Sequence, residues 1–162
     1  MRPERLVLVC GTATEVGKTW VSARVLGTLR ASGHSVAARK PAQSFDVDHA
    51  GRSHGGPTDA EVLAAATGEP PEEVCHPSRS YRRAMAPPIA AEALGLAPFT
   101  VADLAGEVRW PDEGTEVGLV ETAGGVAGRR RRWWWCSTAT TTTTRSTGGT
   151  GSGWSTGTGT RW

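Results

Sequence analysis

Three short apolar runs stand out in the hydrophobic pattern of the chain, at residues 6–9, 35–40 and 116–120. Each run is too short for a helix, and runs of this kind are typical of the buried strands of a parallel sheet. A glycine-containing loop and a longer amphipathic stretch separate the first run from the second. Strand, helix and strand in such close succession form a βαβ unit, so the pattern predicts an α/β fold with a parallel sheet.

Amphipathic stretches between these runs predict the flanking helices. Residues 17–32 carry one apolar stripe that would pack on the sheet, and Gly33 is a typical helix terminator. The stripe consists of Val21, Val25, Leu26 and Leu29. The segment Thr58-Asp59-Ala60-Glu61 forms a capping box, which predicts the start of a second helix. Two further helix starts are predicted, at Pro87-Pro88 and at Thr100.

The loop after the first apolar run carries the clearest chemical signal. It reads Gly11-Thr12-Ala13-Thr14-Glu15-Val16-Gly17-Lys18-Thr19 and lies between a predicted strand and a predicted helix, which is the context of a phosphate-binding P-loop. The glycine backbone and the helix N-terminus can cradle phosphate oxygens. Lys18 can reach the β- and γ-phosphates of ATP, and the Thr19 hydroxyl can bind Mg²⁺. The loop is a variant, because Thr12 occupies the first glycine position of the usual pattern.

Three motifs in this chain resemble those of the dethiobiotin synthases, ATP-dependent enzymes that close the ureido ring in biotin synthesis. They are the P-loop, the segment Lys40-Pro41-Ala42-Gln43-Ser44, and the segment Glu121-Thr122-Ala123-Gly124-Gly125. An Asp-Ala element at Asp59 also resembles the family. The resemblance covers residues 5–126, with the motifs in the family's order. Thr122 departs from the family pattern, which has glycine there, and this change would strain any backbone that needs a positive φ.

The resemblance implies a P-loop NTPase-type parallel sheet flanked by helices, and a cyclo-ligase that forms C–N bonds from 7,8-diaminononanoate, CO₂ and ATP with Mg²⁺. It implies catalytic roles for Lys18 and Lys40. Mg²⁺ would be held by Thr19, Asp59 and Glu121, and the diamine would contact Thr14 and Ser44. The implied ATP-binding residues are Glu15, Val16, Gly17, Lys18, Thr19, Trp20, Asp59, Glu121 and Gly124. From position alone, Lys40 would be a solvated charge at a strand end, and Asp59 a carboxylate that stabilises a helix N-terminus.

Charge divides the chain after residue 128. Residues 1–128 hold 12 Lys and Arg against 16 Asp and Glu, whereas residues 129–162 hold six Arg and no acidic residue. Three interpretations of this Arg/Trp/Thr/Gly tail stay open. It can bind nucleic acid or an anionic membrane surface, it can be a disordered linker, or it can be an out-of-frame translation. We favour the last, because tryptophan codons read in another frame become the valine codons that a further strand needs.

We therefore expect a partial P-loop ATP-binding domain at residues 1–128 and a disordered tail at residues 129–162. The sheet would be incomplete, with the C-terminal part lost and a central strand left at an edge. The chain as written is expected to be poorly folded or oligomeric and inactive. The resemblance implies that the intact protein is a homodimer. We expect a cytoplasmic location, since no apolar run approaches the roughly 20 residues of a membrane span. Neither nucleic acid nor membrane is an expected partner.

Two alternatives remain from the sequence. The first is another P-loop ATPase or ligase of the same group, either cobyrinate amidase-like or ParA/MinD-like. The ParA/MinD class places an extra lysine early in its loop, where this chain has Thr12 and Ala13. The second is a non-enzymatic binding protein that acts through its basic tail, whose affinity for nucleic acid would fall with salt.

Overall fold

A computed structural model describes residues 1–48 and 51–125 of the 162-residue chain. The last three residues of the predicted domain and the whole predicted tail, residues 129–162, lie outside the described residues. The described part contains both helices and strands. No helix in that part of the chain is long and apolar enough to cross a membrane.

The elements follow one another in an α/β order. They are β1 (Arg5–Val9), α1 (Lys18–Ala31), β2 (Val36–Arg39), β3 (Gln43–Ser44), α2 (Asp59–Thr67), α3 (Pro71–Val74), β4 (Ser80–Tyr81), α4 (Pro87–Ala93), α5 (Val101–Glu107) and β5 (Val117–Glu121). A 3₁₀ turn at Pro77–Arg79 precedes β4. The predicted strands and helix starts are confirmed to within two residues, and Thr58 and Thr100 both form capping boxes.

The main sheet has three parallel strands in the order β1-β5-β2. Val9 of β1 lies opposite Glu121 of β5, and Arg39 of β2 lies opposite Val120. The three strands therefore end at the same edge, and the residues that follow them meet there. This arrangement confirms the predicted α/β, P-loop NTPase-type sheet flanked by helices. A second, two-stranded parallel sheet pairs β3 with β4.

Two clusters of buried residues lie between the sheets and the helices. The first lies between the main sheet and helices α1 and α2, and includes Leu26, Ala38, Leu63 and Leu119. The second lies beside β3 and β4, and consists of Ala42, Tyr81, Ala90, Ala91 and Leu104, with Phe99 packed against it. The first cluster fixes the position of α2 against β2, which places the N-terminus of α2 near the end of the sheet.

The prediction that β1 is a buried strand was wrong. Leu6, Val7 and Leu8 are 52%, 44% and 39% exposed. Among the described residues β1 pairs only with β5, so its other edge is open, and apolar side chains on both faces of the strand remain accessible. The expectation that a central strand would be left at a sheet edge stays a prediction.

The predicted apolar stripe of α1 was partly wrong. Leu26 is fully buried as expected, but Val21 and Val25 are about half exposed, and the small polar residue Ser22 is buried instead. Ser22 and Leu26 are four residues apart and share one face, which packs on the sheet and on α2. The helix is therefore rotated by about one residue from the predicted face. Gly33, with φ 88°, follows the helix end as predicted.

Candidate active site

The carboxyl ends of the three parallel strands open into one cavity of about 1100 Å³. The P-loop between β1 and α1 forms one wall, and Ser44 together with residues 84–87 contributes to another. Lys40 follows β2 directly and Asp59 begins α2, and both side chains reach the same space. In open parallel α/β sheets, ligands bind in the crevice at this end of the strands.

The backbone of the P-loop takes the left-handed conformation where α1 begins. Gly17 has φ 85° and ψ 18° and serves as the N-cap without a capping side chain, and the first residues of α1 line the cavity. Lys18 Nζ donates a hydrogen bond to the Ala13 carbonyl oxygen at 3.0 Å. This bond folds the lysine side chain back across its own loop.

Gly11 explains how the variant loop is built. A Cβ at Gly11 would lie 2.8 Å from Lys18 Cδ and 2.8 Å from Val16 Cγ2. The glycine that makes room for the lysine side chain therefore stands one position earlier than in the usual pattern. Thr12, at the usual glycine position, is tolerated in this loop because the close approach occurs at Gly11 instead.

The segment after β5 lies directly on the P-loop. Thr122 N–H and Thr122 Oγ1 both donate to the Val9 carbonyl oxygen, at 3.0 Å and 3.3 Å. A Cβ at Gly125 would lie 2.4 Å from Ala13 Cα and 2.4 Å from the Thr12 carbonyl oxygen. Only glycine fits there, so Gly125 permits the contact between the third motif and the first. Thr122 does not have a positive φ, and its hydroxyl ties the ends of β5 and β1 together.

Two carboxylates, a hydroxyl and an ammonium form the polar centre of the site. Thr19 Oγ1 lies 2.9 Å from Asp59 Oδ1 and 2.7 Å from Glu121 Oε1. Lys40 Nζ lies 2.6 Å from Asp59 Oδ2 and 2.7 Å from Glu121 Oε1. A threonine hydroxyl carries one hydrogen and can donate to only one of its two carboxylate neighbours at a time. The cluster is therefore richer in acceptor oxygens than in donors.

Burial strengthens the interactions within this cluster. Lys40 is 2% exposed and Glu121 is 0% exposed, whereas the Asp59 side chain is partly open to the cavity. Partial burial raises the pKa of Asp59, but the charge of Lys40, hydrogen bonds from Lys40 and Thr19, and the charge of Lys18 together lower the pKa below its ordinary value. Asp59 is therefore a carboxylate at neutral pH.

The oxygen atoms of this cluster fit a magnesium ion. Mg²⁺ binds oxygen at about 2.0–2.1 Å in an octahedron, which places neighbouring ligand oxygens about 2.9 Å apart. The two distances from Thr19 Oγ1 are those of hydrogen bonds, and they are also compatible with that spacing. In addition, the buried Glu121 Oε2 has no hydrogen-bond partner among the described residues. An orphaned buried carboxylate oxygen is costly unless a cation or water approaches it.

The protein supplies only part of a metal shell. The described residues contain no group of three or more His, Cys, Asp and Glu side chains that could hold a metal ion. Thr19, Asp59 and Glu121 would provide two carboxylates and one hydroxyl, and the remaining positions would be left to water and to the oxygens of a bound phosphate. This composition is typical of Mg²⁺ sites that act on phosphate substrates.

Comparison with known proteins identifies the relatives of this chain. No family model matches it. It is 38% identical over 121 residues to the "ATP-dependent dethiobiotin synthetase BioD" of Rhodococcus jostii (strain RHA1), a match that covers 75% of this chain and 48% of the relative. The protein of that name from Caulobacter vibrioides (strain NA1000 / CB15N) is 40% identical over 123 residues, 74% of this chain and 53% of the relative. The protein of that name from Corynebacterium efficiens is 33% identical over 121 residues, a match that covers 75% of this chain and 50% of the relative.

This chain is related to the dethiobiotin synthetases. The relationship confirms the resemblance of its three motifs to that family. The chain spans about half the length of the curated relatives that it matches.

Most of the residues that the dethiobiotin synthetase motifs single out are brought together. The lining of the cavity includes Thr14, Glu15, Gly17, Lys18, Thr19, Trp20, Lys40, Ser44, Asp59 and Gly124. Glu121 does not itself line the cavity and lies behind Thr19 and Lys40, which it contacts. Val16 is not in the described lining either, since its side chain packs beside Gly11 and is half exposed. Ser44 donates its hydroxyl hydrogen to the Met85 carbonyl oxygen.

Gln43 is a site residue that the sequence did not single out. It is almost fully buried; its Oε1 accepts the Ala60 N–H at 3.0 Å, and its Nε2 donates to Ser80 Oγ at 2.8 Å. These bonds tie the first turn of α2, and therefore Asp59, to the second sheet. Gln43 occupies a variable position of the motif Lys40-Pro41-Ala42-Gln43-Ser44. Its place within that motif was the one feature of the sequence that could have indicated a position in the site.

Proposed function

We propose that the site described above belongs to an ATP- and Mg²⁺-dependent ligase that closes the ureido ring of dethiobiotin, using 7,8-diaminononanoate and CO₂. The observation that supports this most directly is the meeting of Lys18, Thr19, Lys40, Asp59 and Glu121 at the end of the sheet. This set occurs in a chain related to proteins named ATP-dependent dethiobiotin synthetase.

The proposed reaction has three steps. One amine of the diamine attacks CO₂ and loses a proton, giving a carbamate. A carbamate oxygen then attacks the γ-phosphorus of ATP, and the bond to the bridging oxygen of ADP breaks. Finally the second amine attacks the carbamate carbon, and inorganic phosphate leaves with a proton released. The protein assists mainly by positioning the substrates and by offsetting negative charge.

Each residue of the polar centre has a place in this scheme. Lys18 and Lys40 stabilise the charge on the transferred phosphoryl oxygens, as cationic groups do in phosphoryl transfer generally. Thr19, Asp59 and Glu121 hold Mg²⁺, which when bound neutralises the phosphate oxygens. The remaining ATP contacts come from Glu15, Val16, Gly17 and Trp20 of the loop and from Gly124 after β5. We also propose that Val16 contributes through its backbone, since its side chain faces away.

The cavity, at about 1100 Å³, lies close to the upper end of the range of about 300–1,000 Å³ that is typical of ligand pockets. The P-loop occupies one wall, which leaves the space beside Thr14 and Ser44 for the diamine. The contact between Ser44 and Met85 fixes the wall of that space.

Other properties of the intact protein are part of the same proposal. We infer a homodimer in the cytoplasm, and a partial ATP-binding domain at residues 1–128 followed by an out-of-frame tail. The chain as written is expected to be inactive, and resequencing the coding DNA from codon 120 in all three frames decides whether an in-frame continuation exists. A continuation that encodes valine-rich strands and amphipathic helices would support the proposal.

The test of the function is product formation. The 162-residue chain and the chain with its reading frame restored are incubated with the diamine, ¹³C-bicarbonate, ATP and Mg²⁺, and dethiobiotin is measured by mass spectrometry. We expect ¹³C in the ureido carbonyl for the restored chain only, and no product when Lys40 is replaced by methionine. A restored, folded chain that makes no labelled dethiobiotin would contradict the proposal.

A further inference from the structure

The ammonium group of Lys40 occupies the centre of a negatively charged cluster. It bridges Asp59 Oδ2 at 2.6 Å and Glu121 Oε1 at 2.7 Å. Both oxygens belong to carboxylates that fit a magnesium ion through their contacts with Thr19. One cation, supplied by the protein itself, therefore already neutralises part of the charge that would attract a metal.

Lys40 also stands between Glu121 and the cavity. Glu121 is completely buried, whereas Lys40 and Thr19 both contact it and both line the cavity. Lys40 holds Glu121 Oε1 and Asp59 Oδ2, whereas Glu121 Oε2 has no hydrogen-bond partner among the described residues. Binding of the metal to the two oxygens that Lys40 holds and the present position of Lys40 therefore exclude each other.

We propose that Lys40 is an internal counter-ion that holds the place of the metal, and that it suppresses the binding of free divalent cations until a nucleotide is present. Phosphate oxygens at the P-loop offer the ammonium group a second set of anionic partners, so the arrival of nucleotide frees Asp59 and Glu121. Metal and nucleotide would then bind with positive coupling, each favouring the other. The nucleotide part rests on the proposed function, but the competition between Lys40 and the metal does not.

Electrostatics gives the direction and the size of the expected effect. With Lys40 in place the two carboxylates and the ammonium carry one net negative charge, and without it they carry two. Because these groups lie close together and are largely buried, removing the positive charge should tighten divalent-ion binding by about tenfold or more. A longer arginine in place of Lys40 keeps the charge and should not produce this gain.

The test measures metal binding without nucleotide. Free Mn²⁺ is titrated against the full chain and followed by the loss of its electron paramagnetic resonance signal. We expect Lys40→Met to bind Mn²⁺ about tenfold or more tightly than the unsubstituted chain, and Lys40→Arg to bind as weakly as that chain. Arg24→Met is the matched control, because it removes an exposed positive charge of α1 that lies outside the cavity lining. Equal gains for the two methionine variants, or no gain for Lys40→Met, would overturn the proposal.

A second measurement covers the case in which Lys40→Met fails to fold. A buried carboxylate and a partly exposed one without a cation destabilise the native state, and a bound metal ion should restore it. The variant is therefore titrated with Mg²⁺ and its folding followed by circular dichroism, beside a Lys40→Met, Glu121→Gln double variant. We expect Mg²⁺ to restore the single variant but not the double variant. Failure to restore the single variant would contradict the proposal, whether or not the chain makes dethiobiotin.

Discussion

Gly125 lies against Ala13 so closely that a Cβ at position 125 would be 2.4 Å from Ala13 Cα. This contact joins the segment after β5 to the P-loop after β1, although the two residues are far apart in sequence. It holds two motifs of the proposed nucleotide site against each other. The carboxylate at the end of β5 and the phosphate-binding backbone are held in one fixed relationship.

The first prediction follows from that contact. Gly125→Ala should push the P-loop out of place and weaken the binding of an ATP analogue by about tenfold or more, the change that about 1.4 kcal/mol produces. Gly27→Ala is the matched control, because a Cβ at Gly27 in α1 meets no described atom within 4 Å. That change should leave nucleotide binding unaltered and stabilise α1 by about 1 kcal/mol. Equal nucleotide affinity in both variants would show that the Gly125 contact is unimportant.

The sequence predicted the local parts of the site well. Strand, loop and helix around Lys18 depend on residue spacing alone, and the structure has them at the predicted positions. The family resemblance implied that Asp59 and Glu121 lie near Thr19, and both carboxylates are within hydrogen-bond distance of its hydroxyl oxygen.

Features that depend on which elements pack together could not be read from the sequence. The exposure of β1 depends on its neighbours in the sheet, which its own apolar pattern does not reveal. The buried face of α1 passes through Ser22, and an apolar count favours Val21 instead. The role of Gln43 depends on two elements distant in sequence. The ion pairs of Lys40 likewise require three elements to converge.

Gln43 provides the second prediction, about stability. Gln43→Leu leaves the Ala60 N–H without its buried partner, which should lower the free energy of unfolding by about 1–3 kcal/mol. Ser80→Ala removes only the partner at the other end of the amide and should cost less. Urea denaturation of both variants gives the comparison. This role of Gln43 is contradicted if Gln43→Leu is as stable as the unsubstituted chain, or if Ser80→Ala lowers the free energy of unfolding by the same amount.

The pair of Arg79 and Glu107 predicts a dependence of stability on pH. Arg79 donates to both carboxylate oxygens of Glu107, and these hydrogen bonds lower the pKa of Glu107 below its ordinary value. A carboxylate with a lowered pKa stabilises the fold above its unfolded pKa of about 4.3, and this contribution disappears as the pH falls through the lower folded value.

Glu107→Gln tests that pH dependence. Because Glu107 is partly exposed and water screens the pair, the loss of stability at pH 7 should be about 1 kcal/mol or less. The difference in free energy of unfolding between this variant and the unsubstituted chain should vanish once the pH is below the lowered pKa of Glu107. Glu92→Gln, at an exposed position, serves as control and should show neither effect. A constant difference at every pH would mean that the carboxylate charge of Glu107 is not responsible.

Within residues 1–48 and 51–125, β1 pairs along one edge only, and this arrangement predicts self-association. Unpaired backbone groups and exposed apolar side chains on an edge strand favour pairing with another chain, and a lysine on such an edge opposes it. Leu6→Lys should therefore shift the chain towards monomer in sedimentation velocity at micromolar concentration. Leu96→Lys changes a leucine of similar exposure away from the sheet and should have no effect. If the unsubstituted chain is already a monomer, the prediction is wrong.

The central claim is that Thr19, Asp59 and Glu121 form a magnesium-dependent nucleotide site with the P-loop. The most direct measurement is the affinity of the chain for a fluorescent ATP analogue, with and without Mg²⁺, in the unsubstituted chain, in Glu121→Gln and in the control Arg24→Ala, an exposed residue of α1 outside the cavity lining. We predict binding that Mg²⁺ strengthens, and a loss of that strengthening in Glu121→Gln only. Binding that is the same with and without Mg²⁺, or unchanged in Glu121→Gln, would contradict the account.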